Sequence, residues 1–97
     1  MEQLTFTYPA SATVVRRAHV GMVASGDLEV LLEPTQHPQS KVIVTTSVDG
    51  FGAVWKNVLD RFFSRFNAAV AIEINDFGAT PGLVMLRLEQ AAEAVRA

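Results

Sequence analysis

A run of apolar residues spaced three and four positions apart constrains the fold of this chain more than any other feature. Its members are Phe51, Val54, Trp55, Val58, Leu59, Phe62, Phe63 and Phe66. Polar and charged residues occupy most positions between them, which is the pattern of an amphipathic helix with one buried face. We therefore predict a helix over residues 51–66, with Asp49 or Gly50 as its N-cap and with Trp55 buried in the core.

The segments on either side of this helix alternate between apolar and polar residues. A period of two places one set of side chains on the core face of a sheet. The predicted strands cover residues 3–8, 16–24, 28–33, 41–48 and 69–74. Thr80 followed by Pro81 is typical of a helix start, so a second helix is predicted over residues 81–95.

The order of these elements, β-ββ-β-α-β-α, predicts an α+β fold. We expect a mostly antiparallel sheet of four to five strands, with two helices packed on one face. The 97 residues are enough for one domain and one modest core. Residues 1–97 are accordingly expected to form a single domain.

Composition excludes several classes of protein. The net charge is −2 and the cations are spread along the chain, which argues against a nucleic-acid partner. Cysteine is absent, so disulfides, a thiol nucleophile and cysteine-bound metals are excluded. No signal peptide is apparent, and the apolar runs are far shorter than the ~20 residues of a membrane span. We expect a cytoplasmic protein with no membrane partner.

Few residues carry recognisable chemistry. His19 and His37 lack a nearby serine or carboxylate in a catalytic spacing, so both are interpreted as surface histidines. No histidine and carboxylate pattern suggests a metal site. The triplet Ser25-Gly26-Asp27 has strong turn-forming character and lies between two predicted strands, which predicts a hairpin with Ser25 near its tip.

On the residues alone, an ordinary turn is the simplest interpretation of this triplet. Without a base partner, Ser25 is not a credible hydrolase nucleophile. It would make a good attachment point, because a hydroxyl at a hairpin tip is accessible and Gly26 has no side chain to obstruct a modifying enzyme.

The run from Gly21 to Pro34, Gly-Met-Val-Ala-Ser-Gly-Asp-Leu-Glu-Val-Leu-Leu-Glu-Pro, resembles the signature of the malonate decarboxylase acyl carrier protein, the delta subunit. More distantly it resembles the acyl carrier subunit of citrate lyase. Residues 44–48 and 75–82 are also similar to the malonate family, and the resemblance spans nearly the whole chain. It implies a carrier subunit without catalytic activity of its own.

The resemblance also implies a covalent prosthetic group on Ser25, 2′-(5″-phosphoribosyl)-3′-dephospho-CoA, with Gly26 and Asp27 completing the attachment site. The thiol of this arm would hold acetyl and malonyl thioesters. The implied partners are the acyl transferase and decarboxylase subunits, together with a dedicated holo-protein synthase. Fatty-acid carriers instead have Asp-Ser-Leu at a helix start, so the ordinary phosphopantetheinyl transferase is not expected to modify this chain.

Two alternatives remain open at this point. The chain could be the carrier of a citrate-lyase-type enzyme, or a small noncatalytic interaction module without a prosthetic group. For a carrier, we expect a modest polar docking surface near Ser25. Asp27, Glu29 and Glu33 are the candidates to contact basic patches on partner proteins.

Overall fold

The computed structural model describes residues 1–96, which form five strands and two helices. These are β1 (Glu2–Pro9), β2 (Ala18–Gly21), β3 (Leu28–Pro34), β4 (Gln39–Thr46), α1 (Gly52–Phe63), β5 (Val70–Asp76) and α2 (Pro81–Arg96). The strands form one sheet in the order β1-β4-β5-β3-β2. Neighbouring strands are antiparallel except β4 and β5, which are parallel. The predicted α+β fold class is confirmed.

The single parallel pair explains the position of α1. Two parallel neighbours cannot be joined by a tight turn, so the chain must cross over the sheet between them. Helix α1 makes this crossover between β4 and β5.

The core lies between the sheet and the two helices. Alternate residues of β3, β4 and β5, among them Val30, Val44 and Ile74, are completely buried against the apolar faces of the helices. Trp55 is only 5% exposed, as the helical spacing predicted. The intervening strand residues face the open side of the sheet, where Lys41 and Glu73 are exposed.

Helix α1 is shorter than the predicted span 51–66, and its N-cap is Phe51 rather than Asp49 or Gly50. Contacts with the first two residues of the chain account for the position of the N-cap. The Gly50 amide donates to Glu2 Oε1 at 3.1 Å, and Asp49 Oδ1 lies 3.4 Å from the N-terminal ammonium. Both residues are therefore held in the preceding loop, where Gly50 has a φ of +88°.

The strands also differ from the prediction at their ends. Strand β2 covers four residues instead of the predicted 16–24, and it ends at Gly21, whose φ of +83° is incompatible with a continuing strand. Strand β4 begins two residues early, because its pairing with β1 extends to Gln39 and to the buried Ser40. Its hydroxyl donates to the Ala68 carbonyl and accepts from the Val70 amide, both at 3.0 Å.

Within residues 1–96, no helix combines the length and the apolar character that crossing a membrane requires.

Candidate functional site

Ser25 occupies the corner of a tight turn in the loop that joins β2 to β3. The Asp27 amide donates to the Ala24 carbonyl at 3.0 Å and closes the turn. Gly26 has a φ of +78°, whereas no residue other than glycine has a positive φ in the described chain. This combination defines a type II turn with Ser25 second and Gly26 third. The predicted hairpin is confirmed, and Ser25 lies in its loop.

The surroundings of Ser25 are open. Ser25 and Gly26 are both exposed, and a Cβ built on Gly26 would meet no atom within 4 Å. Glycine at this position therefore serves the backbone conformation, and it also leaves space beside the serine. The arrangement presents the hydroxyl to solvent on a defined corner of the backbone.

Asp27 anchors this turn to α2. Its Oδ1 accepts hydrogen bonds from Arg87 Nε at 3.2 Å and from the Leu28 amide at 2.7 Å, and its Oδ2 accepts one from Arg87 Nη2 at 3.0 Å. The Arg87 hydrogen bond, followed by that from the Leu28 amide, holds the pKa of Asp27 below its ordinary value. Asp27 is thus an ionised carboxylate whose oxygens are already engaged within the chain.

Backbone hydrogen bonds join the same turn to the loop between β5 and α2. The Gly26 amide donates to the Phe77 carbonyl at 2.7 Å, and the Phe77 amide donates to the Asp27 carbonyl at 2.9 Å. Asp76, which is 4% exposed, accepts from Thr46 Oγ1 at 2.8 Å and from the Ala79 amide at 3.1 Å. The loops that follow β2, β4 and β5 at this end of the sheet are consequently braced against one another.

Gly21 sets the geometry of the loop entrance, a role the sequence reasoning missed. A Cβ at this position would lie 2.0 Å from the Leu28 carbonyl oxygen, and the backbone has a φ of +83°. The Met22 amide donates to that same oxygen at 3.1 Å. A glycine inside an alternating strand pattern is a signal for close backbone approach and could have revealed this position.

An apolar cleft opens beside the braced loops, between the first turns of α1 and α2. Its volume is about 250 Å³. Its apolar lining includes Val48, Phe51, Val54, Trp55, Ala79 and Pro81. Its polar lining residues, Thr46 and Asp76, are hydrogen-bonded to each other, so the cleft is suited to an apolar ligand surface.

The remaining candidate residues lie away from the turn. His19 Nε2 is 2.9 Å from Glu29 Oε2 on the open face of the sheet, and His37 is exposed in the β3–β4 loop at the opposite end. Glu29 also accepts from Asn75 Nδ2 at 3.0 Å. No cluster of three or more histidine, aspartate or glutamate residues within residues 1–96 could hold a metal ion.

The three acidic docking candidates do not form one patch beside Ser25. Asp27 is bonded to Arg87, Glu29 is half-buried under His19, and Glu33 lies near the far end of β3, 3.9 Å from Arg17 Nη1. Their role in docking stays a prediction, although two of the three carboxylates already have close partners within the chain.

The family model of the malonate decarboxylase delta subunit (MdcD) matches residues 15–95. The chain belongs to the malonate decarboxylase delta-subunit family. This match covers the Ser25 turn, Arg87, all of α1 and all but the last residue of α2. It decides between the two carrier families that the sequence pattern resembles.

Relatives of known name agree with this membership. A Pseudomonas paraeruginosa protein named malonate decarboxylase acyl carrier protein is 54% identical over 94 residues, which cover 96% of this chain and 95% of the relative. An Azotobacter vinelandii protein of the same name is 49% identical over 96 residues, with coverages of 98% and 97%.

A solved structure has the same fold as this delta-subunit family member. A chain in the crystal structure of a Pseudomonas malonate decarboxylase hetero-tetramer in complex with malonate matches with a TM-score of 0.93 and 49% identity. The match covers 98% of this chain and 99% of that chain.

Proposed function

We propose that this chain is the acyl carrier subunit of a malonate decarboxylase, and that Ser25 carries 2′-(5″-phosphoribosyl)-3′-dephospho-CoA in phosphodiester linkage. The observation that carries the proposal is the Ser25 turn, which is braced by Asp27 and Phe77 while the serine itself remains exposed. A modification site needs this combination of a defined backbone and an unobstructed hydroxyl.

The residues of the turn fit such a group. Ser25 Oγ would form the phosphodiester, and Gly26 leaves open space beside it. The Arg87 guanidinium neutralises Asp27, so an attached phosphate would not face an uncompensated carboxylate. When attached, the group supplies the thiol on which acetyl and malonyl are held as thioesters.

The work of this chain is to deliver those acyl groups. A flexible tether raises the local concentration of its terminal group to the millimolar range at any site that it can reach. One arm could therefore serve a transferase site and a decarboxylase site in turn.

Other serines are less suited to attachment. Ser40 is completely buried, and Ser64 Oγ donates to the Arg61 carbonyl at 2.6 Å. Ser11 Oγ accepts a long bond of 3.4 Å from Asn67. Ser47 is exposed at the same end of the sheet as Ser25, and its amide donates to the Asp76 carbonyl. Ser47 is therefore the best matched control.

We expect the partners to be the acyl transferase and decarboxylase subunits and a dedicated holo-protein synthase acting in the cytoplasm. The similar chain in a hetero-tetramer supports association with other subunits. The competing function is a noncatalytic interaction module that never carries a prosthetic group, and the mass of the protein from its native host separates the two.

The deciding experiment expresses the wild type, Ser25→Ala and Ser47→Ala with the biosynthetic enzymes and partner subunits. Intact mass and malonate-dependent CO₂ release are measured. We expect the wild type and Ser47→Ala to gain the arm and support CO₂ release, and Ser25→Ala to do neither. An arm on Ser25→Ala would refute the attachment site. A wild type that never gains the arm would favour the interaction module.

A further inference from the structure

We propose that the apolar cleft between the starts of α1 and α2 binds the adenine base of the arm attached to Ser25. This inference rests on the proposed function, because it assigns a second contact to the group that Ser25 would carry. Its occupant is tethered to the same chain rather than supplied by a partner.

The cleft offers what a flat aromatic base requires. Phe51 is 49% exposed at the rim, and the almost fully buried Trp55 forms part of the wall. Val48 and Val54, each 39% exposed, continue the apolar surface. Aromatic side chains stabilise bound bases by stacking on their flat faces. These residues otherwise expose apolar surface to water beside the proposed attachment site.

The cleft lies within reach of Ser25 along a short path through the braced loops. Gly26 follows Ser25 and its amide is 2.7 Å from the Phe77 carbonyl oxygen, while Gly78, the next residue, lines the cleft. Since consecutive Cα atoms are about 3.8 Å apart, this path places the near wall of the cleft within roughly 10 Å of Ser25.

The covalent path from Ser25 Oγ to the base has a similar length. The phosphate, the linking ribose and part of the adenosine ribose contribute about ten single bonds, each of which advances an extended chain by roughly 1.2 Å. The adenine can therefore reach the cleft. The thiol lies at the end of the much longer diphosphate and pantetheine branch, which remains outside.

Acidic groups around the cleft do not oppose the phosphates of the arm strongly. The Asp76 carboxylate accepts hydrogen bonds from Thr46, Gly78 and Ala79, and Asp49 lies 3.4 Å from the N-terminal ammonium. Neither α1 nor α2 has an acidic residue in its first turn. The positive ends of both helix dipoles therefore remain favourable for phosphate groups nearby.

Docking the base would give the arm a defined exit direction from the carrier. Tethering makes even weak binding effective, because the base is present at high local concentration. The swinging part would then begin at the diphosphate instead of at Ser25. Partner enzymes would meet a carrier and a partly ordered arm as one surface.

The test uses Trp55, which is the single tryptophan of the chain, as an optical reporter. Trp55 emission and the amide NMR signals of cleft residues are compared between apo- and holo-protein, with loading verified by intact mass. We expect loading to decrease the emission and to shift the cleft signals. Phe51→Ala should lose most of this change, whereas Leu86→Ala, a site of similar exposure on α2 that does not line the cleft, should retain it.

A second step identifies which part of the arm is bound. Cleaving the diphosphate of the holo-protein with a nucleotide pyrophosphatase removes the phosphopantetheine and leaves the adenosine portion on Ser25. The fluorescence change should persist. Its loss would mean that the pantetheine occupied the cleft and would refute the inference.

Each of the other possible outcomes would overturn adenine docking in the cleft. Loaded protein with the emission and amide signals of the apo form would overturn adenine docking while leaving the proposed function intact. A change that appears only when partner subunits are added would assign the cleft to a partner side chain and would also overturn it. If no arm is ever attached, the proposed function and this inference fall together, and intact mass reveals that case directly.

Discussion

Arg87 donates two hydrogen bonds to Asp27, from Nε to Oδ1 at 3.2 Å and from Nη2 to Oδ2 at 3.0 Å. The two residues are 60 positions apart, so this pair connects the second helix directly to the Ser25 turn. A third donor, Arg87 Nη1, contacts Gln90 Oε1 at 3.1 Å and holds the guanidinium against its own helix. The planar guanidinium suits a two-point contact of this kind.

Replacing Arg87 with lysine should loosen the Ser25 turn, because an ammonium group cannot reproduce the paired contact with Asp27. We expect faster backbone hydrogen exchange at Gly26 and Asp27, whose amides donate to Phe77 and Ala24. Arg17→Lys is the control, since Arg17 is 80% exposed and its nearest carboxylate oxygen is 3.9 Å away. Unchanged exchange in Arg87→Lys would show that the loop hydrogen bonds alone hold the turn.

The pairing of Asp27 with Arg87 also predicts how the free energy of unfolding changes in acid. The pKa of Asp27 is lowered from 3.8 in the folded state, first by Arg87 and then by the Leu28 amide. A lowered folded pKa contributes stability that is fully present above the ordinary carboxyl pKa and is lost as the pH falls through the folded pKa. The stability difference between wild type and Asp27→Asn should therefore be constant near neutral pH and shrink in acid.

Urea unfolding of both proteins across the acid range measures this difference. Asp60, whose pKa is also lowered, is common to the two proteins, so its contribution cancels. A difference that stays constant to the lowest pH at which both remain folded would contradict the role assigned to Arg87.

The two glycines of the hairpin loop should differ in their tolerance of alanine. Gly26→Ala meets no atom, so it should cost only the left-handed backbone penalty of about 1–2 kcal/mol. Gly21→Ala carries the same penalty and also places a Cβ 2.0 Å from the Leu28 carbonyl oxygen, so it should destabilise considerably more. Urea midpoints rank the two variants, and equal losses would argue against a close approach at Gly21.

Local patterns predicted the elements of this fold but not all of their ends. The helical spacing identified α1 and the burial of Trp55, and Thr80-Pro81 identified α2, in which the Leu83 amide donates to Thr80 Oγ1 at 3.2 Å. The start of α1 was misplaced because Glu2 holds Gly50 from 48 residues away. A contact of that range leaves no signal in a local window.

The candidate site likewise has a part that local patterns predict and a part that depends on long-range contacts. Ser25-Gly26-Asp27 was recognisable as a turn because its residues are those that turns require. The pairing of Arg87 with Asp27 could not be predicted, since one arginine on a predicted helix does not reveal which loop it contacts. The apolar cleft could not be predicted either, because it forms only where two helix starts meet the ends of two strands.

Trp55→Ala should be severely destabilising, whereas Phe51→Ala should not. Trp55 is 5% exposed and belongs to the main core cluster, so its truncation should cost ~3–5 kcal/mol. Phe51 is 49% exposed, and its carbonyl, which accepts from the Trp55 amide, is unaffected by side-chain truncation. Denaturant unfolding followed by circular dichroism compares them, and a similar cost for both would mean that the cleft rim supports the core.

Moving the serine by one position should abolish loading. In the type II turn, Ala24 is the first residue and supplies the carbonyl that closes it, whereas Ser25 is the second residue and lies at the corner. Both positions are exposed, so accessibility alone does not distinguish them. A synthase that recognises the position of the hydroxyl within the braced turn should modify a hydroxyl at position 25 and not at position 24.

The double variant Ala24→Ser/Ser25→Ala tests this directly, with the single variant Ala24→Ser as its control. Both should fold like the wild type, because exposed substitutions of this size usually change stability by less than about 0.5 kcal/mol. On co-expression with the biosynthetic enzymes, intact mass should reveal the arm on Ala24→Ser and none on the double variant. Loading of the double variant at the wild-type rate would mean that the synthase needs only a hydroxyl on an accessible loop, and that the bracing by Asp27 and Phe77 serves the fold rather than the modification.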